Sequence, residues 1–444
     1  MPRRRVLVYG TGVSGRAVVR HLRAEGTEVV CADDDRGSRP RQVAAELGVE
    51  LVVAPGADDL RRIASDVDEV VVSPGVPARH PVFTLAPEVP VIGEVELAWR
   101  RAAVPVVAVT GTNGKTTVVT LAAQILEASG RRVLCAGNIG LPLLDAVDSD
   151  VDVLVVEVSS FQLALTSSFR PAVGAWVNFA PDHLDWHPSL EHYRRSKARL
   201  WANVGPGDVM VANAEDGVVL AEAEAAAARG ASLVTFGLGT GDYTVRAGTL
   251  VGPDGALCET AELHRPFPHE IADGLCAAAA SIAAGAERAA CGCVLRGFGG
   301  LPHRLELVGE AYGVRFFDDS KATTPDAVVT ALSGFDSAVL IAGGRNKGLD
   351  LSPLRALAPR LTGVVAIGEA APEVAQVFAG ACAVRTATSM HDAVADACAL
   401  ARPTDAIVLS PACTSFDWYG SYAERGEDFA RCVRAVLDKG WAPA

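Results

Sequence analysis

The sequence predicts an α/β protein whose domains are each built on a largely parallel sheet. The chain has 444 residues, and at about 150 residues per domain this length corresponds to about three domains. Short β-branched runs alternate with Ala- and Leu-rich helical stretches along most of the chain, as in sheets whose strands are joined by crossover helices. Three segments begin with an apolar strand that runs into a glycine turn, at Gly10, Gly111 and Gly343. Three such starts fit three α/β domains.

The individual elements follow from these patterns. The predicted strands are 5–9, 28–32, 69–73, 104–110, 152–158, 173–178, 338–342, 364–368 and 406–410. The Gly-rich interval 237–255 contains short alternating runs, which predict a small antiparallel sheet inside the middle domain. The Ala-rich stretches 221–231 and 276–290 predict helices, the first of them solvated.

Two interruptions predict where the domains meet. A charged helical piece at 93–101 precedes a new buried strand, and the run 297–302 (Gly-Phe-Gly-Gly-Leu-Pro) ends the second Ala-rich helix. We therefore expect domains at 1–100, 101–299 and 300–444.

Composition excludes several classes of protein. Half of the residues are apolar and 21% are charged, as in a globular chain. Forty basic against 53 acidic residues give a net charge of −13, which argues against nucleic acid or an anionic membrane as a partner. No apolar run reaches the ~18 residues of a membrane span, and the ten cysteines show no zinc-site spacing. We expect a cytoplasmic monomer with reduced cysteines, in which a local basic site binds any anionic ligand.

The first glycine turn fits a dinucleotide or nucleotide diphosphate. Gly10-Thr-Gly12-Val-Ser14-Gly15 follows the first strand and opens a helix, and Asp33 ends the next strand. Ser73-Pro-Gly75 follows a third strand and adds a tight loop to the same edge. NAD(H) and a nucleotide diphosphate both suit such a site, and two ordinary strand-to-helix turns are the alternative.

The second glycine turn is more specific. It follows an apolar strand, precedes a helix, and consists of Gly111, Thr112, Asn113, Gly114, Lys115, Thr116 and Thr117. In such a P-loop the amides surround phosphates, Lys115 reaches the β- and γ-phosphates and Thr116 ligates Mg²⁺. The usual first glycine of the pattern is replaced by Val109. The sequence therefore predicts a variant P-loop and a bound nucleoside triphosphate.

Polar side chains after the next two strands predict a metal site. Glu157 stands near the end of an apolar strand, where a carboxylate is costly to bury unless a cation neutralises it. Asp182-His183-Leu-Asp185-Trp-His187 follows the strand after that. The alternatives are a glutamate that faces water and histidines with structural hydrogen bonds.

The last third carries cationic turns after successive strands. They contain Arg304, Lys321 and Lys347, and hydroxyls follow the final strand at Ser415 and Tyr422. Such side chains clamp carboxylates or phosphates. Each could also be an ordinary surface turn, but their repetition favours a second binding site.

In this order, the motifs resemble those of the Mur ligase family of peptidoglycan synthesis over nearly the whole chain, and most of all its glutamate-adding branch. The motifs that carry the resemblance are Gly-Thr-Asn-Gly-Lys115-Thr-Thr, Gly137-Asn138-Ile-Gly140, Glu157-Val-Ser-Ser-Phe-Gln-Leu163, Asp182-His183-Leu-Asp, Leu-Pro-His303-Arg304-Leu-Glu, Asp319-Ser320-Lys321-Ala-Thr323, Gly-Gly-Arg-Asn-Lys347-Gly and Leu-Ser410-Pro-Ala-Cys-Thr-Ser415-Phe.

The resemblance implies a Rossmann-like N-terminal domain, a P-loop-type central domain that binds ATP, and an α/β C-terminal domain that closes over ATP and brings glutamate. It implies that UDP-N-acetylmuramoyl-L-alanine, rather than NAD, lies against Ser14, Gly15, Asp33, Ser73, Gly75 and Asn138. Magnesium would be held by Thr116, Glu157, His183 and Lys197, the last as a carbamate. ATP would also meet Arg304 and Asp319, and glutamate would meet Lys321, Thr323, Lys347, Ser415 and Tyr422. Lys115, His183, Lys197 and Lys321 would be catalytic.

The local pattern around Lys197 and the residues at 270 and 273 differ from what the resemblance implies. The pattern around Lys197 alone, with Arg194, Arg195 and Arg199 beside it, predicts a solvated helix lysine. Where the family has His-Asn-x-x-Asn-Ala, this chain has Glu270 and Asp273 in place of the asparagines. An ionised Glu270 accepts but cannot donate a hydrogen bond, which puts the usual adenine contact in doubt.

The implied reaction is amide formation through an acyl phosphate. ATP would phosphorylate the alanyl carboxylate, and the glutamate amine would then displace phosphate. His183 or a second carboxylate could take the amine proton, and the sequence leaves the enantiomer of glutamate open, with D as our expectation. A nicotinamide-dependent oxidoreductase would leave the Lys115 loop unexplained. A nucleotide-sensing switch would turn over ATP slowly without an amine acceptor.

Overall fold

The computed structural model describes residues 4–84 and 88–443 and contains four sheets. The chain forms two compact units. One consists of the residues up to Leu263 and of Ile271–Gly297, and the other of His264–Glu270 and the residues from Phe298 onward. The first unit contains two parallel sheets and a small antiparallel one, and the second unit contains one mixed sheet, so the predicted α/β class with three sheet-based domains is confirmed. The boundaries at residues 100 and 299 stay predictions.

The N-terminal sheet has five parallel strands in the order β3-β2-β1-β4-β5. Its elements are β1 (Arg5–Tyr9), α1 (Val13–Ala24), β2 (Glu28–Asp33), α2 (Ser38–Leu47), β3 (Glu50–Val53), α3 (Ala57–Ala64), β4 (Glu69–Val72), β5 (Val91–Gly93) and α4 (Glu94–Trp99). The strand order reverses at β1, and the turn from Gly10 to Gly15 lies at this switch point, where open α/β sheets bind ligands.

The central sheet has six parallel strands in the order β11-β10-β9-β6-β8-β7. Its elements are β6 (Val106–Thr110), α5 (Lys115–Ala128), β7 (Val133–Gly137), α6 (Leu143–Ala146), β8 (Val153–Glu157), α7 (Ser160–Ala164), β9 (Val173–Trp176), α8 (Leu190–Ala198), β10 (Val209–Asn213), α9 (Gly217–Ala227) and β11 (Ser232–Phe236). Strand β6 is again the switch point, and it leads directly into the P-loop.

In the rest of the central domain, the predicted antiparallel sheet is confirmed and the prediction of a single Ala-rich helix is wrong. The antiparallel sheet predicted in 237–255 is present as β12 (Thr244–Arg246), β13 (Thr249–Gly252) and β14 (Gly255–Glu259). The single Ala-rich helix predicted over 276–290 is instead divided between α10 (Pro268–Ala283) and α11 (Arg288–Gly297). The division falls at Gly285, whose φ of +90° is a left-handed conformation that ends a helix.

The second unit contains a six-stranded sheet in the order β15-β16-β20-β17-β18-β19, in which only the β15–β16 pair is antiparallel. Its elements are β15 (Glu306–Ala311), β16 (Val314–Asp318), α12 (Pro325–Leu332), β17 (Ala338–Gly343), β18 (Leu361–Ile367), α13 (Ala371–Phe378), β19 (Ala383–Ala387), α14 (Met390–Leu400), β20 (Ala406–Ala412) and α15 (Tyr422–Leu437). Short 3₁₀ helices at Pro81–Phe83, Arg199–Trp201, Thr260–Glu262 and Ser352–Arg360 complete the described chain.

The sequence runs that predict strands are nearly continuous rather than alternating in hydrophobicity because both faces of these sheets are buried. Strands β6, β8 and β17 have every residue buried. Helices cover each face, so apolar side chains are needed on both.

A buried carboxylate connects α4 to the segment that follows α7. Glu96 is 0% exposed, and its oxygens accept hydrogen bonds from the backbone N–H groups of Ser167, Ser168 and Phe169 and from both serine hydroxyls. Burial alone would raise the pKa of Glu96, but these hydrogen bonds, led by those of Ser168, outweigh it and lower the pKa. The carboxylate therefore stabilises the fold in its ionised form.

We expect Glu96→Ala to lower the free energy of unfolding by about 3 kcal/mol, because it leaves several buried donors without an acceptor. Since the pKa of the folded state lies below the ordinary value of 4.5, this stabilisation is present at neutral pH and declines as the pH falls below 4.5. Urea unfolding at pH 7 measures it. Glu46→Ala, which removes an exposed partner of Arg16, is the control and should change stability by less than about 0.5 kcal/mol. Equal effects of the two substitutions would contradict the assignment.

Candidate active site

The P-loop lies between β6 and α5 and is braced from β9. Gly114 has a φ of +80°, a conformation that favours glycine. The Lys115 ammonium donates to the carbonyl oxygens of Gly111 and Thr112, at 2.9 Å each. The Asn178 side-chain oxygen accepts the amides of Thr112 and Asn113 at 3.0 and 2.9 Å. The loop is thus held in shape around the N-terminus of α5, a position that favours phosphate.

The two threonines at the start of α5 follow the loop directly. Thr116 is half-buried and Thr117 is buried in the first turn of the helix. The Thr112 hydroxyl lies 3.0 Å from the Tyr193 hydroxyl and 3.1 Å from the Ala180 carbonyl oxygen. Thr112 therefore connects the P-loop to α8.

Glu157 ends β8 with one carboxylate oxygen unsatisfied. The residue is 2% exposed, and Oε1 accepts a hydrogen bond of 2.8 Å from the Asn138 side chain. Oε2 is buried and has no hydrogen-bond partner among the described residues. Such an oxygen is costly in an apolar interior, and it is a ligand that a divalent cation prefers. The structure thus brings Asn138 and Glu157 together and fits a hard metal ion at Oε2.

His183 is fixed by its neighbours. Its amide donates to Asp182 Oδ1 at 2.7 Å, and its Nε2 lies 3.2 Å from Asp182 Oδ2. The imidazole meets the Phe161 ring edge-on, with centroids 4.7 Å apart. Its φ of +56° is uncommon for a residue with a Cβ atom, and such strain occurs at functional sites.

Lys197 is not a solvated lysine, so the prediction from its local pattern is wrong. The side chain is 1% exposed, and Nζ donates to the Gly111 carbonyl oxygen at 2.6 Å. Burial, and then the positive charge of Lys115, lower its pKa well below the ordinary value, although Asp182 and Glu157 oppose this shift. These charges place Lys197 among the P-loop and metal candidates.

The glycine turn of the N-terminal sheet is compact. A Cβ atom on Gly15 would lie 1.9 Å from the Gly10 carbonyl oxygen, so only glycine fits there. The Ser73 hydroxyl donates to that same carbonyl at 2.8 Å. Ser14, Gly15 and Ser73 line one small cavity, whereas a Cβ atom on Gly75 would meet open space.

Asp33 and Asp34 have different surroundings. Asp33 Oδ2 accepts the amide and hydroxyl of Thr11, at 2.7 and 2.6 Å, and its Oδ1 accepts the amide of Asp35. The Asp34 side chain is 57% exposed, and its carboxylate accepts a hydrogen bond of 2.7 Å from the Tyr9 hydroxyl and lies 3.3 Å from His80 Nε2. Asp33, the predicted ligand residue, therefore holds the Thr11 turn, while the neighbouring Asp34 is exposed at the same strand end.

In the second unit, Asp319 is a buried acid at the end of β16. It accepts hydrogen bonds from the Ser410 hydroxyl at 2.7 Å and from the Leu305 amide at 3.3 Å. Burial raises its pKa to about 7, although Ser410 and the positive charge of Arg304 oppose the rise. The structure thus brings Asp319 and Arg304 close together.

Lys321 and Tyr422 also lie together. The Lys321 ammonium is 3.7 Å from the centroid of the Tyr422 ring, and the Ser320 hydroxyl donates to the Tyr422 carbonyl. The buried Arg425 donates to the carbonyl oxygens of Ser320 and Cys413. Sequence reasoning missed Arg425, which reads as an ordinary polar position of an amphipathic helix.

The other residues predicted around glutamate occupy neighbouring turns. Thr323 lies two residues after Lys321 and before α12, Lys347 is exposed in the turn after β17, and Ser415 is buried after β20. The β17 and β20 turns are joined by backbone hydrogen bonds of 3.0 Å between Arg345 and Thr414.

His303 forms an acid–histidine pair that the sequence motif did not reveal. Its Nδ1 lies 2.7 Å from Asp318 Oδ2, and its amide donates to Glu306. The three side chains offer ligand atoms within 4.8 Å of one another, but these internal hydrogen bonds already account for the cluster.

The two replaced asparagines have local partners. Glu270 Oε1 lies 2.5 Å from Arg265 Nη2. Asp273 is packed against the P-loop, since a Cβ atom on Gly114 would lie 2.3 Å from Asp273 Oδ1. Both replacements therefore keep a polar side chain with a neighbour in the structure.

Lysine usage is a signal that would have found Lys197. The chain has 40 lysines and arginines, but lysine occurs only at Lys115, Lys197, Lys321, Lys347 and Lys439. The first four belong to the candidate sites. Arginine therefore serves nearly all surface positions, and a lysine in this chain is itself informative.

Family models match most of the chain. The model described as "Mur ligase MurD-like, N-terminal domain" matches residues 4–93, "Mur ligase middle domain" matches 109–258, and "Mur ligase, glutamate ligase domain" matches 303–413.

Curated relatives match along their whole length. The chain is 41% identical to the UDP-N-acetylmuramoylalanine–D-glutamate ligase of Pelotomaculum thermopropionicum, with 99% of each chain covered. It is 42% identical to the ligases of the same name from Frankia casuarinae, with 97% of this chain and 94% of the relative covered, and from Rubrobacter xylanophilus, with 96% and 98% covered.

Solved structures support the fold. The UDP-N-acetylmuramate-alanine ligase MurC of Thermotoga maritima superposes with a TM-score of 0.58 at 18% identity, over 97% of this chain and 99% of that one. MurF of Acinetobacter baumannii gives a TM-score of 0.60 at 17% identity, over 96% and 93%. Among the described residues, no helix is long and apolar enough to cross a membrane.

Proposed function

The chain belongs to the Mur ligase family, and on that premise we propose that it joins D-glutamate to UDP-N-acetylmuramoyl-L-alanine with cleavage of ATP. The observation that carries the proposal is the arrangement around Lys197. This buried lysine contacts the P-loop carbonyl of Gly111 and lies in the fields of Lys115, Asp182 and Glu157. This arrangement supports nucleotide and metal chemistry at one place. The names of the relatives, which are D-glutamate ligases, support the choice of substrates.

ATP would bind at the P-loop. The amides at the N-terminus of α5 and the Lys115 ammonium attract the phosphates, and the loop already has the curvature that Gly114 permits. The ATP contacts of Arg304 and Asp319 that the resemblance implies stay a prediction. Glu270 is paired with Arg265, so we expect it to accept a hydrogen bond from adenine and not to donate one.

Magnesium would be held by Thr116, Glu157, His183 and the carbamate of Lys197. The unpartnered Glu157 Oε2 is the observation that supports this site. When bound, the metal would neutralise charge on the transferring phosphoryl group. Asn138 holds the other oxygen of Glu157 and so fixes which oxygen is presented.

The reaction has two steps. An oxygen of the alanyl carboxylate attacks the γ-phosphorus, and the bond to the ADP oxygen breaks, which gives an acyl phosphate. The glutamate amine then attacks the acyl carbon, and the carbon–oxygen bond to phosphate breaks. Lys115 and the loop amides stabilise the charge of the first step. His183 or a neighbouring carboxylate such as Asp182 would take the proton that the amine loses.

Glutamate would be held by the second unit. Lys321, stacked on Tyr422, and Lys347 supply positive charge for two carboxylates, while Thr323 and Ser415 supply hydroxyl donors. We propose that the chain is a cytoplasmic monomer, as its sequence leads us to expect.

The N-terminal domain should bind the UDP of the sugar substrate and not NAD(H). Its turn presents amides at the start of α1, which suit a diphosphate, and the exposed carboxylate of Asp34 can accept hydrogen bonds from a ribose or a base. A ligase has no use for hydride transfer. Calorimetry on the full chain should show saturable binding of UDP-N-acetylmuramoyl-L-alanine and none of NAD(H) at equal concentrations. Tight NAD(H) binding without UDP-sugar binding would revive the oxidoreductase alternative.

Phosphate release tests the proposed function. The full chain is incubated with ATP, Mg²⁺ and UDP-N-acetylmuramoyl-L-alanine, with D-glutamate, L-glutamate or neither. We expect rapid phosphate release only in the reaction that contains D-glutamate. Phosphate release with L-glutamate and not with D-glutamate would show that the substrate is the L enantiomer. Slow phosphate release at the same rate in all three reactions would favour a nucleotide-sensing switch.

A further inference from the structure

Two hydrogen bonds connect the loop that carries His183 to the nucleotide-side loop of the N-terminal sheet. The indole N–H of Trp186 donates to the Pro74 carbonyl oxygen at 3.0 Å. The guanidinium of Arg79 donates to the Asp185 carbonyl oxygen at 2.5 Å. Both bonds cross between the N-terminal and central domains, within the first compact unit.

Trp186 is held firmly at the central-domain end of this connection. Its side chain is largely buried, with the residue 6% exposed. Its ring stacks on Phe161 with centroids 4.7 Å apart and an angle of 26° between the planes. Phe161 in turn meets the His183 ring edge-on at 4.7 Å, and the Trp186 amide donates to the His183 carbonyl oxygen at 3.1 Å.

The path from Pro74 through Trp186 to Phe161 and His183 is therefore continuous and packed; we name it the tryptophan bridge. Pro74 lies between Ser73 and Gly75, where the sugar nucleotide is proposed to bind. His183 lies where the metal is proposed to bind. A ligand that fixes one end limits the positions available at the other, because a buried aromatic ring that is stacked on its neighbour does not adjust without moving that neighbour.

We propose that Trp186 is a positioning residue that couples occupancy of the 73–75 loop by the sugar nucleotide to the metal and phosphate site at His183. The inference rests on the proposed function, since it takes both ligand sites from it. Binding of the sugar nucleotide at the 73–75 loop would hold Trp186 and, through it, the His183 loop in the arrangement that the metal and the nucleotide require. By linkage, Mg²⁺–nucleotide would strengthen sugar-nucleotide binding by the same factor.

Trp186→Phe is the informative variant, because phenylalanine retains an aromatic ring against Phe161 but has no N–H for Pro74. Trp201→Phe is the matched control. Trp201 is also buried, and its indole donates to the Gly174 carbonyl oxygen at 2.9 Å, but that bond stays inside the central domain. Arg79→Ala is a second variant that removes the other cross-domain bond from the surface and does not disturb the buried rings.

The experiment measures the affinity of the full chain for UDP-N-acetylmuramoyl-L-alanine by calorimetry, with and without Mg²⁺ and the non-hydrolysable analogue AMP-PNP. In the wild type and in Trp201→Phe we expect the analogue to strengthen binding by about fivefold or more. In Trp186→Phe we expect less than about twofold coupling, with each ligand alone bound nearly as in the wild type. Arg79→Ala should show an intermediate loss. In turnover at saturating sugar nucleotide, kcat of Trp186→Phe should fall by about tenfold, and its KM for ATP should rise by about the coupling factor that is lost.

The outcomes separate this inference from the proposed function. If the sugar nucleotide does not bind the wild type at all, the proposed function fails. If it binds, but coupling in Trp186→Phe equals that of the wild type, or Trp201→Phe loses as much, the tryptophan bridge is overturned and the ligase assignment stands. If Trp186→Phe does not fold, unchanged coupling in Arg79→Ala overturns the inference and reduced coupling supports it.

Discussion

Lys115→Ala is expected to reduce ligation by about 10³-fold or more, because it removes the cation that follows the phosphoryl group during its transfer. In the structure the ammonium donates hydrogen bonds to the loop carbonyl oxygens of Gly111 and Thr112. These are polar contacts that phosphate oxygens could replace. The substitution therefore removes charge from the site and leaves the buried strand β6 and the apolar face of α5 intact.

The measurement is the steady-state rate of phosphate release with saturating D-glutamate, together with a thermal unfolding curve. Lys439→Ala is the matched control, since Lys439 follows α15 outside the candidate sites. We expect the control to be fully active and both variants to unfold cooperatively. Near wild-type turnover of Lys115→Ala would overturn the nucleotide assignment.

Lys197→Ala is the second substitution with a large expected effect, and we expect it to be nearly inactive. The buried amine has a pKa well below its ordinary value, chiefly because of burial, so an uncharged, nucleophilic form is accessible for reaction with CO₂. The resulting carbamate would convert a group that repels a metal into an oxygen ligand beside Glu157. Glu157 and the carbamate would then balance part of the metal charge, to which an imidazole ligand contributes none.

Chemical rescue distinguishes this role from simple packing. Bicarbonate, formate or acetate should restore part of the activity of Lys197→Ala by filling the vacated ligand position. The same acids should not restore Lys115→Ala, which lacks a cation rather than an anion. An unimpaired Lys197→Ala enzyme would show that the lysine is dispensable, and Asp182, Asp185 or water would then have to complete the metal site.

The strands and the P-loop could be predicted because their signals are local. A β-branched run such as 106–110 is buried on both faces and must be apolar. The glycine-rich turn at its end is recognised from the spacing of its own residues. Glu157 could be selected for the same reason, since a carboxylate at the end of such a run needs a partner.

Lys197 could not be predicted from local pattern because its burial is decided by tertiary contacts. The buried face of α8 consists of Tyr193, Ser196 and Lys197, spaced as one helix face but without an apolar stripe. What buries it is the P-loop itself, through Gly111 and Thr112. Because helix burial is predicted from apolar residues, the sequence does not reveal that the polar face of α8 is buried against the P-loop.

Positions decided by backbone detail were also beyond the sequence. Asp33 and Asp34 are adjacent, and only the path of the chain after β2 determines that Asp33 holds the Thr11 loop while Asp34 is exposed. The break in the Ala-rich stretch depends on one left-handed glycine, Gly285, in a segment whose composition favours helix throughout.

The central claim, ligation of D-glutamate through an acyl phosphate, is tested most directly by following oxygen. UDP-N-acetylmuramoyl-L-alanine labelled with ¹⁸O in its alanyl carboxylate is incubated with the full chain, ATP, Mg²⁺ and D-glutamate, and the products are analysed by mass spectrometry. The account predicts one ¹⁸O in each inorganic phosphate, the other in the new amide carbonyl, and unlabelled ADP, with no labelled phosphate when L-glutamate replaces D-glutamate. Unlabelled phosphate, or ADP formed without the D-glutamyl product, would contradict it.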